Sequence, residues 1–396
     1  MRRDDLSHAV RERLKRLPQP YANHYGVVPL PPPEDAIPLG EIAASHRRAS
    51  EALARVKLLA DEFHDPFVVS RLLRRREAVS SSSIEGTNST LDELLSVEET
   101  GTEEARNAAL QVRDYALILE ALIPEAAHRG PGIFDRGLIE RLHRESMKSD
   151  PHYRHVPGEL RTTMVWIGGV RDIAYSTYNP APPDAVPACL DDTLSYLRGE
   201  GMQVMAQSLV TRMAVAHAHF ESVHPFLDGN GRTGRLLLPL MMAAEGQPPL
   251  YLSPYIEAHK AEYYASLKGA QQRLDWPGAI AFMSDAVVGT VDELLVTRKV
   301  LKDLEAEWAT RRRFRARSAA LRSLDLLASY PVLTATRLAA LLDVSFPAAM
   351  TAIDQLLDAG ILQERTGYRR NRVFIAPEVL TIINRPFGEE PAIRPA

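Results

Sequence analysis

The sequence predicts a mainly α-helical protein: a helical core carrying one β-hairpin, followed by a small C-terminal module of helices and two short strands. Three observations predict it. Apolar residues recur at helical spacing through 42–63, 67–80, 89–99, 103–125 and 134–148, and again on both sides of a dense polar run at 224–235. Between Pro157 and Pro183, Val165-Trp166-Ile167-Gly168-Gly169 is a short apolar run with glycine turn chemistry between Pro-rich flanks, the pattern of a hairpin. Beyond Arg317 the order is helix (319–329), helix (335–342), a turn at Asp343-Val344, helix (345–359), then two strands within 361–375 around Thr366-Gly367-Tyr368.

Each element has its own signal. Residues 18–38 form a Pro-rich arm too poor in period to be a regular element. Asn88-Ser89 is the expected N-cap of the helix that opens at Thr90. The stretch 205–222 places Leu209, Met213, Ala216 and Phe220 close to helical spacing, so His224 is expected at the end of a buried helix. His217 and His219 lie on that helix two apart, facing different directions; both are expected to be structural, one in the core and one near a surface. A charged connector helix is expected from 299 to 317. The domains read as 1–100, an N-terminal helical region; 101–298, the core; 299–317, the connector; and 318–385, the C-terminal module.

Composition narrows the function classes. At 396 residues the chain can bury a sizeable core, and its mean hydropathy of -0.18 is ordinary for a soluble protein. No apolar stretch approaches the ~20 residues that span a bilayer. The N-terminus lacks a signal-peptide core and Cys189 is the sole cysteine, so a cytoplasmic, disulfide-free protein without membrane partners is expected. A formal charge of -4 gives no global nucleic-acid signal.

The chemistry concentrates in His224-Pro225-Phe226-Leu227-Asp228-Gly229-Asn230-Gly231-Arg232-Thr233-Gly234-Arg235. Gly229 and Gly231 flank Asn230 just before a helix, so backbone N–H groups and the positive helix end can meet an anion. Arg232 and Arg235, three apart, suit two-pronged contacts to phosphate oxygens. Asp228 is a hard oxygen ligand of the kind that binds Mg²⁺ together with phosphates. His224, with an unperturbed pKa near ~6.5, can take a proton from a hydroxyl. Each feature alone reads as a turn, a helix end or a solvated face; their coincidence points to phosphate chemistry.

This run resembles the Fic signature, His-Pro-Phe-x-Asp/Glu-Gly-Asn-Gly-Arg-x-x-Arg, at every fixed position. The resemblance implies a protein adenylyltransferase with a Fic-type helical core, transferring AMP from ATP to a Ser, Thr or Tyr hydroxyl of a target protein, possibly of itself. It implies His224 as base, Asp228 as ligand of Mg²⁺ (or Mn²⁺), and Gly229, Asn230, Gly231, Arg232, Gly234 and Arg235 as the ATP phosphate site. The kinase-like branch departs from the run at Gly-Asn-Gly-Arg and fits less well.

Upstream, Ser80-Ser81-Ser82-Ser83-Ile84-Glu85-Gly86 follows an amphipathic, Arg-rich stretch. By composition it is a Ser-rich linker after a helix. It also matches the Ser/Thr-x-x-x-Glu-Gly/Asn motif by which many Fic proteins inhibit themselves, implying Ser81, Glu85 and Gly86 on an inhibitory helix at about 67–86. A Glu85 carboxylate paired with Arg235 would occupy the fork meant for the γ-phosphate, with Ser81 fixing that carboxylate or anchoring the helix. The same carboxylate suits orienting a water to remove AMP from a target. By the resemblance the hairpin is a flap, with Trp166, Ile167, Gly168 and Gly169 pairing with the target's backbone; without it, a surface hairpin. Tyr263 or Tyr264, on a helix expected at 259–273, would lie beside the adenine, although aromatics at that spacing are commonly core.

The C-terminal order of elements resembles a winged helix-turn-helix. Residues 311–375 hold eleven Arg against five acids, a formal +6. Yet 345–359, where a recognition helix belongs, has no Arg or Lys, while base readout normally uses Arg, Asn or Gln. Arg365, Arg369, Arg370 and Arg372 suit phosphate contacts or a protein-docking wing equally. Two readings remain: a self-inhibited adenylyltransferase whose winged helix docks a protein or a second copy of the chain, and a DNA-binding regulator whose nucleotide site is a sensor.

Overall fold

The structure, a computed structural model, describes residues 1–63, 71–101, 107–169, 172–203, 206–366 and 372–391. Its helices are α1 (His8–Glu12), α2 (Ala43–Phe63), α3 (Arg71–Ile84), α4 (Leu91–Thr100), α5 (Asn107–Arg129), α6 (Arg136–Met147), α7 (Val186–Arg198) and α8 (Leu209–Val223). There follow α9 (Asn230–Ala244), α10 (Ser253–Ala258), α11 (Lys260–Arg273), α12 (Trp276–Arg311), α13 (Ala319–Leu327), α14 (Ala335–Leu342), α15 (Phe346–Asp358) and α16 (Pro377–Asn384). The strands are β1 (Leu14–Arg16), β2 (Tyr25–Val27), β3 (Val332–Thr334), β4 (Gln363–Glu364) and β5 (Val373–Ile375).

The protein is mainly helical, as the apolar spacing predicts. Two consecutive helices form its centre. α8 buries every residue from Val210 to Val223 except Arg212, because α7, α9, α11 and α12 surround it. α9 is buried almost as fully and packs on α5, α6 and α8. Gly234 allows the close approach, since a Cβ there would lie 2.6 Å from Glu221 Oε1 and 3.1 Å from the Phe220 ring. Ser208 caps the start of α8 by accepting from Thr211 N, which fixes where this scaffold begins.

α3 packs against α5 and α10, which carries the Ser81–Gly86 segment to the N-terminal end of α9. Its arginines are held by carboxylates: Arg75, almost fully buried, pairs with Glu98 at 3.0 Å and Glu120 at 2.6 Å, and Arg71 pairs with Glu98. Residues 67–70 of the expected inhibitory helix lie outside the described residues. α4 begins at a capping box made by Thr90 and Glu93, one residue later than the expected cap at Ser89, because the Thr90 hydroxyl reaches the Glu93 N–H.

Several elements differ from the sequence reading. β2 lies inside the Pro-rich arm and pairs antiparallel with β1, because tertiary pairing supplies order that periodicity does not. The 165–178 hairpin is reduced to a single antiparallel bridge, Ile167 with Tyr178, followed by glycines at φ 72° and 74°. The 299–317 connector is no separate helix: α12 runs unbroken to Arg311 because Leu301, Leu304 and Trp308 continue its buried face.

At the C-terminus, α13, α14 and α15 pack on one another beside an antiparallel sheet of order β3-β5-β4, which α14 and α4 contact, and α14 and α15 meet at 110°. β3 and α16 are additions to the predicted elements. Glu378 of α16 accepts from Trp308 Nε1 and from Arg311, locking this module to the end of α12. Residues 367–371, which include Arg369 and Arg370 of the expected wing, lie outside the described residues. No single described helix is long and apolar enough to cross a membrane.

Candidate active site

The site forms where α8 ends and α9 begins. His224 leaves α8 in the left-handed conformation, φ 50° and ψ 64°, a backbone state few non-glycine residues adopt. Pro225 then forbids a further helical turn. The 226–230 loop is closed by the Asn230 side chain, whose Oδ1 accepts from Phe226 N and whose Nδ2 donates to Phe226 O, both at 2.9 Å. The Asn230 amide is thus committed to shaping the loop, leaving its backbone N–H to the helix end.

Gly229 is the N-cap of α9 at φ 75° and supplies no capping side chain. A Cβ there would strike Met147 Sδ, and a Cβ on Gly231 would run into the Glu85 carboxylate and Arg235 Nη1. The helix end therefore presents bare backbone to a negative group, and the group it meets is Glu85.

Arg235 is buried and donates three ways: Nε to Ser81 Oγ at 2.9 Å, Nη2 to Ser81 O at 2.9 Å, and Nη2 to Glu85 Oε1 at 2.7 Å. Ser81 therefore holds Arg235 rather than the Glu85 carboxylate. Burial alone would raise the Glu85 pKa, but Arg235 outweighs it, with Arg232 and His224 adding, and holds the carboxyl below its ordinary value. Gly86 follows at φ 86° and ends the segment. Arg232 is anchored from the other side by Gln111 Oε1 at 3.3 Å, Met147 Sδ at 2.9 Å and Asp150 at 3.6 Å.

Burial lowers the His224 pKa to about 4, with Arg161 lowering it further and Glu221 and Glu85 opposing. The imidazole is neutral at neutral pH, the form a general base needs. Its Nδ1 lies 3.9 Å from Glu221 Oε2, leaving Nε2 free on the other side of the ring. Glu221 itself is buried, which pushes its pKa to about 8.

Asp228 is exposed, with Oδ1 accepting from Gly229 N at 2.6 Å and its other oxygen open. Among the described residues no cluster of three His, Cys, Asp or Glu could hold a metal by itself. One open carboxylate fits an ion such as Mg²⁺ that takes most of its ligands from phosphate and water.

Tyr263 is buried with its hydroxyl 2.8 Å from His217 Nε2, so it belongs to the core. Tyr264 is exposed, with Lys260 over its ring at 5.8 Å, while Lys260 donates to Ile84 O. Of the two tyrosines, only Tyr264 has a face open to a nucleobase. His217 and His219 are both buried, contrary to the expectation of one near a surface, because α8 is enclosed on every side; His219 Nδ1 pairs with Thr193 at 2.8 Å.

Three supporting residues carry no motif signal. His143 takes the Gly158 N–H on Nδ1 at 2.8 Å, so its Nε2 donates to Asp228 O at 3.0 Å while the ring stacks on Phe226. Glu77, fully buried, accepts from Ser253 N, Ser253 Oγ and Tyr115 OH beneath the Arg235 site. Arg161 binds the backbone around His224. Glu221, a buried acid three residues before His224, was also missed by the sequence reading.

The Fic/DOC family model matches residues 133–242, and the Fic/DOC family N-terminal model matches 43–121. These two stretches belong to the Fic/DOC family. The Fic region is 43% identical over 110 residues to protein adenylyltransferase fic-1 of Caenorhabditis briggsae, a match covering 28% of this chain and 19% of that protein. It is 30% identical over 135 residues to protein adenylyltransferase Fic of Drosophila grimshawi, covering 34% and 25%. The matches thus span a quarter or less of those relatives' lengths. A Fic family protein from Desulfovibrio desulfuricans G20 superposes with a TM-score of 0.53 at 20% identity, over 88% of this chain and 98% of that one. That likeness establishes the mainly helical fold.

Proposed function

We propose that this chain is a protein adenylyltransferase that transfers AMP from ATP to a hydroxyl of a protein and is held off by its own Glu85. The observation that carries the reading is the Glu85 carboxylate against Gly231 and Arg235, an anion seated at the anion cradle beside a neutral His224. Once the carboxylate leaves, Arg235 and Arg232 are free to take phosphate oxygens and the α9 N-terminus meets the α-phosphate. The His224 imidazole takes the acceptor's proton, the acceptor oxygen bonds to the α-phosphorus, and the bond to pyrophosphate breaks. Asp228 would hold Mg²⁺, which when bound would neutralise charge on the phosphates.

The bridge at Ile167 supports a flap in which Trp166 to Gly169 offer backbone to an incoming strand, with Ile167 already paired on its inner edge. The 319–384 helices and sheet support a winged helix-turn-helix. Its exposed α15 residues, Phe346, Pro347, Thr351, Asp354 and Asp358, include no cation, while Arg337 and Arg365 face Glu99 and Asp92 of α4. Those features favour protein docking over base readout.

The reading is tested with labelled ATP and Mg²⁺. Covalent label on the protein that is abolished in His224→Ala supports transfer. Nucleotide that binds and never becomes covalent, even when Glu85 is replaced, refutes it.

A further inference from the structure

We infer that Arg161 is a positioning residue that clamps the acceptor-docking flap to the loop holding the proposed base, so that hydroxyl and His224 are set by one side chain. This rests on the adenylyltransferase reading of the site. Arg161 is almost fully buried, and no carboxylate is ion-paired with it among the described residues. Among the described residues its hydrogen bonds all go to neutral backbone carbonyls. Its backbone N–H donates to Pro225 O at 2.9 Å, Nε to His224 O at 2.7 Å, and Nη2 to Val223 O at 3.4 Å, so one residue takes three consecutive carbonyls of the base's loop. The same guanidinium donates to Thr163 O at 3.3 Å and Ala181 O at 2.7 Å. Thr163 leads into the Trp166–Gly169 segment, and Ala181 follows Tyr178, the bridge partner of Ile167.

A buried cation is costly unless its donors are satisfied, and the planar guanidinium fork here reaches four carbonyls at once in a way an ammonium does not. The left-handed backbone of His224 explains the need. In that conformation the carbonyls of 223–225 cannot continue the α8 ladder, and Arg161 supplies the missing donors. Arg161 also places a positive charge beside the imidazole, opposed by the Glu85 carboxylate after α3 and by a hydrogen bond from the ring to the backbone of Glu221, and so favours the neutral ring.

The fork and the charge are separable. Arg161→Lys keeps the charge and loses the fork; Arg161→Gln loses both. Each is made in the Glu85→Gly chain and measured for covalent transfer from ATP–Mg²⁺, for ATP binding by calorimetry, and for His224 titration by NMR, assigned with His224→Gln. We expect Arg161→Lys to lower the transfer rate about a hundredfold with ATP affinity unchanged, the scale of a misplacement of about 1 Å. It leaves the His224 titration acidic, whereas Arg161→Gln moves that titration towards ordinary histidine. Arg161→Lys that transfers at the parental rate overturns the clamp. Equal loss of ATP affinity and transfer also overturns it, since a merely structural role predicts both together. If Arg161→Gln does not fold, the Lys variant decides alone. Failure of the adenylyltransferase reading is distinguishable: the Glu85→Gly parent then shows no covalent product, while the NMR arm still reports on the clamp's charge.

Discussion

Glu85 Oε1 accepts a hydrogen bond from Arg235 Nη2 at 2.7 Å, across a gap of 150 residues, and the same carboxylate fills the space above Gly231. Because Arg235 holds the folded-state Glu85 pKa below its unfolded value, the contact stabilises the fold above the ordinary carboxylate range. That contribution is lost as pH falls through the folded pKa. Inhibition by Glu85 is therefore expected to be independent of pH around neutrality. Glu85→Gln is expected to cost about 1 kcal/mol at pH 7, since the carboxylate is a third exposed and partly screened, and nothing in strong acid. Denaturation midpoints across pH check this; a difference that persists in acid contradicts it.

Glu221 titrates in the opposite sense. Its folded pKa is raised to about 8, so the folded state prefers the proton, and its contribution is complete below the unfolded pKa and is lost as pH rises through about 8. Glu221→Gln cannot ionise. Its thermal midpoint is expected to gain on the parent between pH 5 and pH 9, by an amount equivalent to roughly 1 kcal/mol or more. A constant gap would mean that the carboxyl is ionised in the folded protein.

Gly234→Ala is expected to destabilise by about 1–3 kcal/mol in denaturant unfolding, the range for forcing a methyl into a packed core. The new Cβ would meet Glu221, Phe220 and His217 where α8 and α9 touch, and would disturb the helix that carries His224. A neutral result would show that the two helices are further apart.

The two tyrosines are expected to part company. Tyr264→Ala should raise the KM for ATP several-fold with little change in stability, because its ring is exposed beside Lys260. Tyr263→Phe removes the partner of His217 inside the core and should lower stability by about 1 kcal/mol without altering KM. Steady-state kinetics with each variant, in the Glu85→Gly chain, decides between them.

How much of this was legible in the sequence varied with the physics. The helical spacing of α8 and the residues of the 224–235 run sufficed to place His224 at a helix end and Gly229 and Gly231 at the start of the next helix, because those signals are local. The partnership of Glu85 with Arg235 was readable through the family resemblance, not through spacing. Of the two roles open to Ser81, fixing the Glu85 carboxylate or anchoring the helix, its bonds agree with the second: its hydroxyl and carbonyl grip Arg235 and tie α3 to α9. Arg161 and His143 were silent because their partners are backbone atoms distant in sequence, which no periodicity records. β2 was missed because a three-residue strand in a Pro-rich arm takes its order from pairing with β1.

The most direct test of the central claim is intact-mass spectrometry of three full-length proteins incubated with ATP and Mg²⁺: the parent, Glu85→Gly, and Glu85→Gly combined with His224→Ala. The account predicts covalent addition of AMP to Glu85→Gly far above the parent, and none to the double variant. Equal addition to the parent and to Glu85→Gly, or addition that survives the loss of His224, would contradict it.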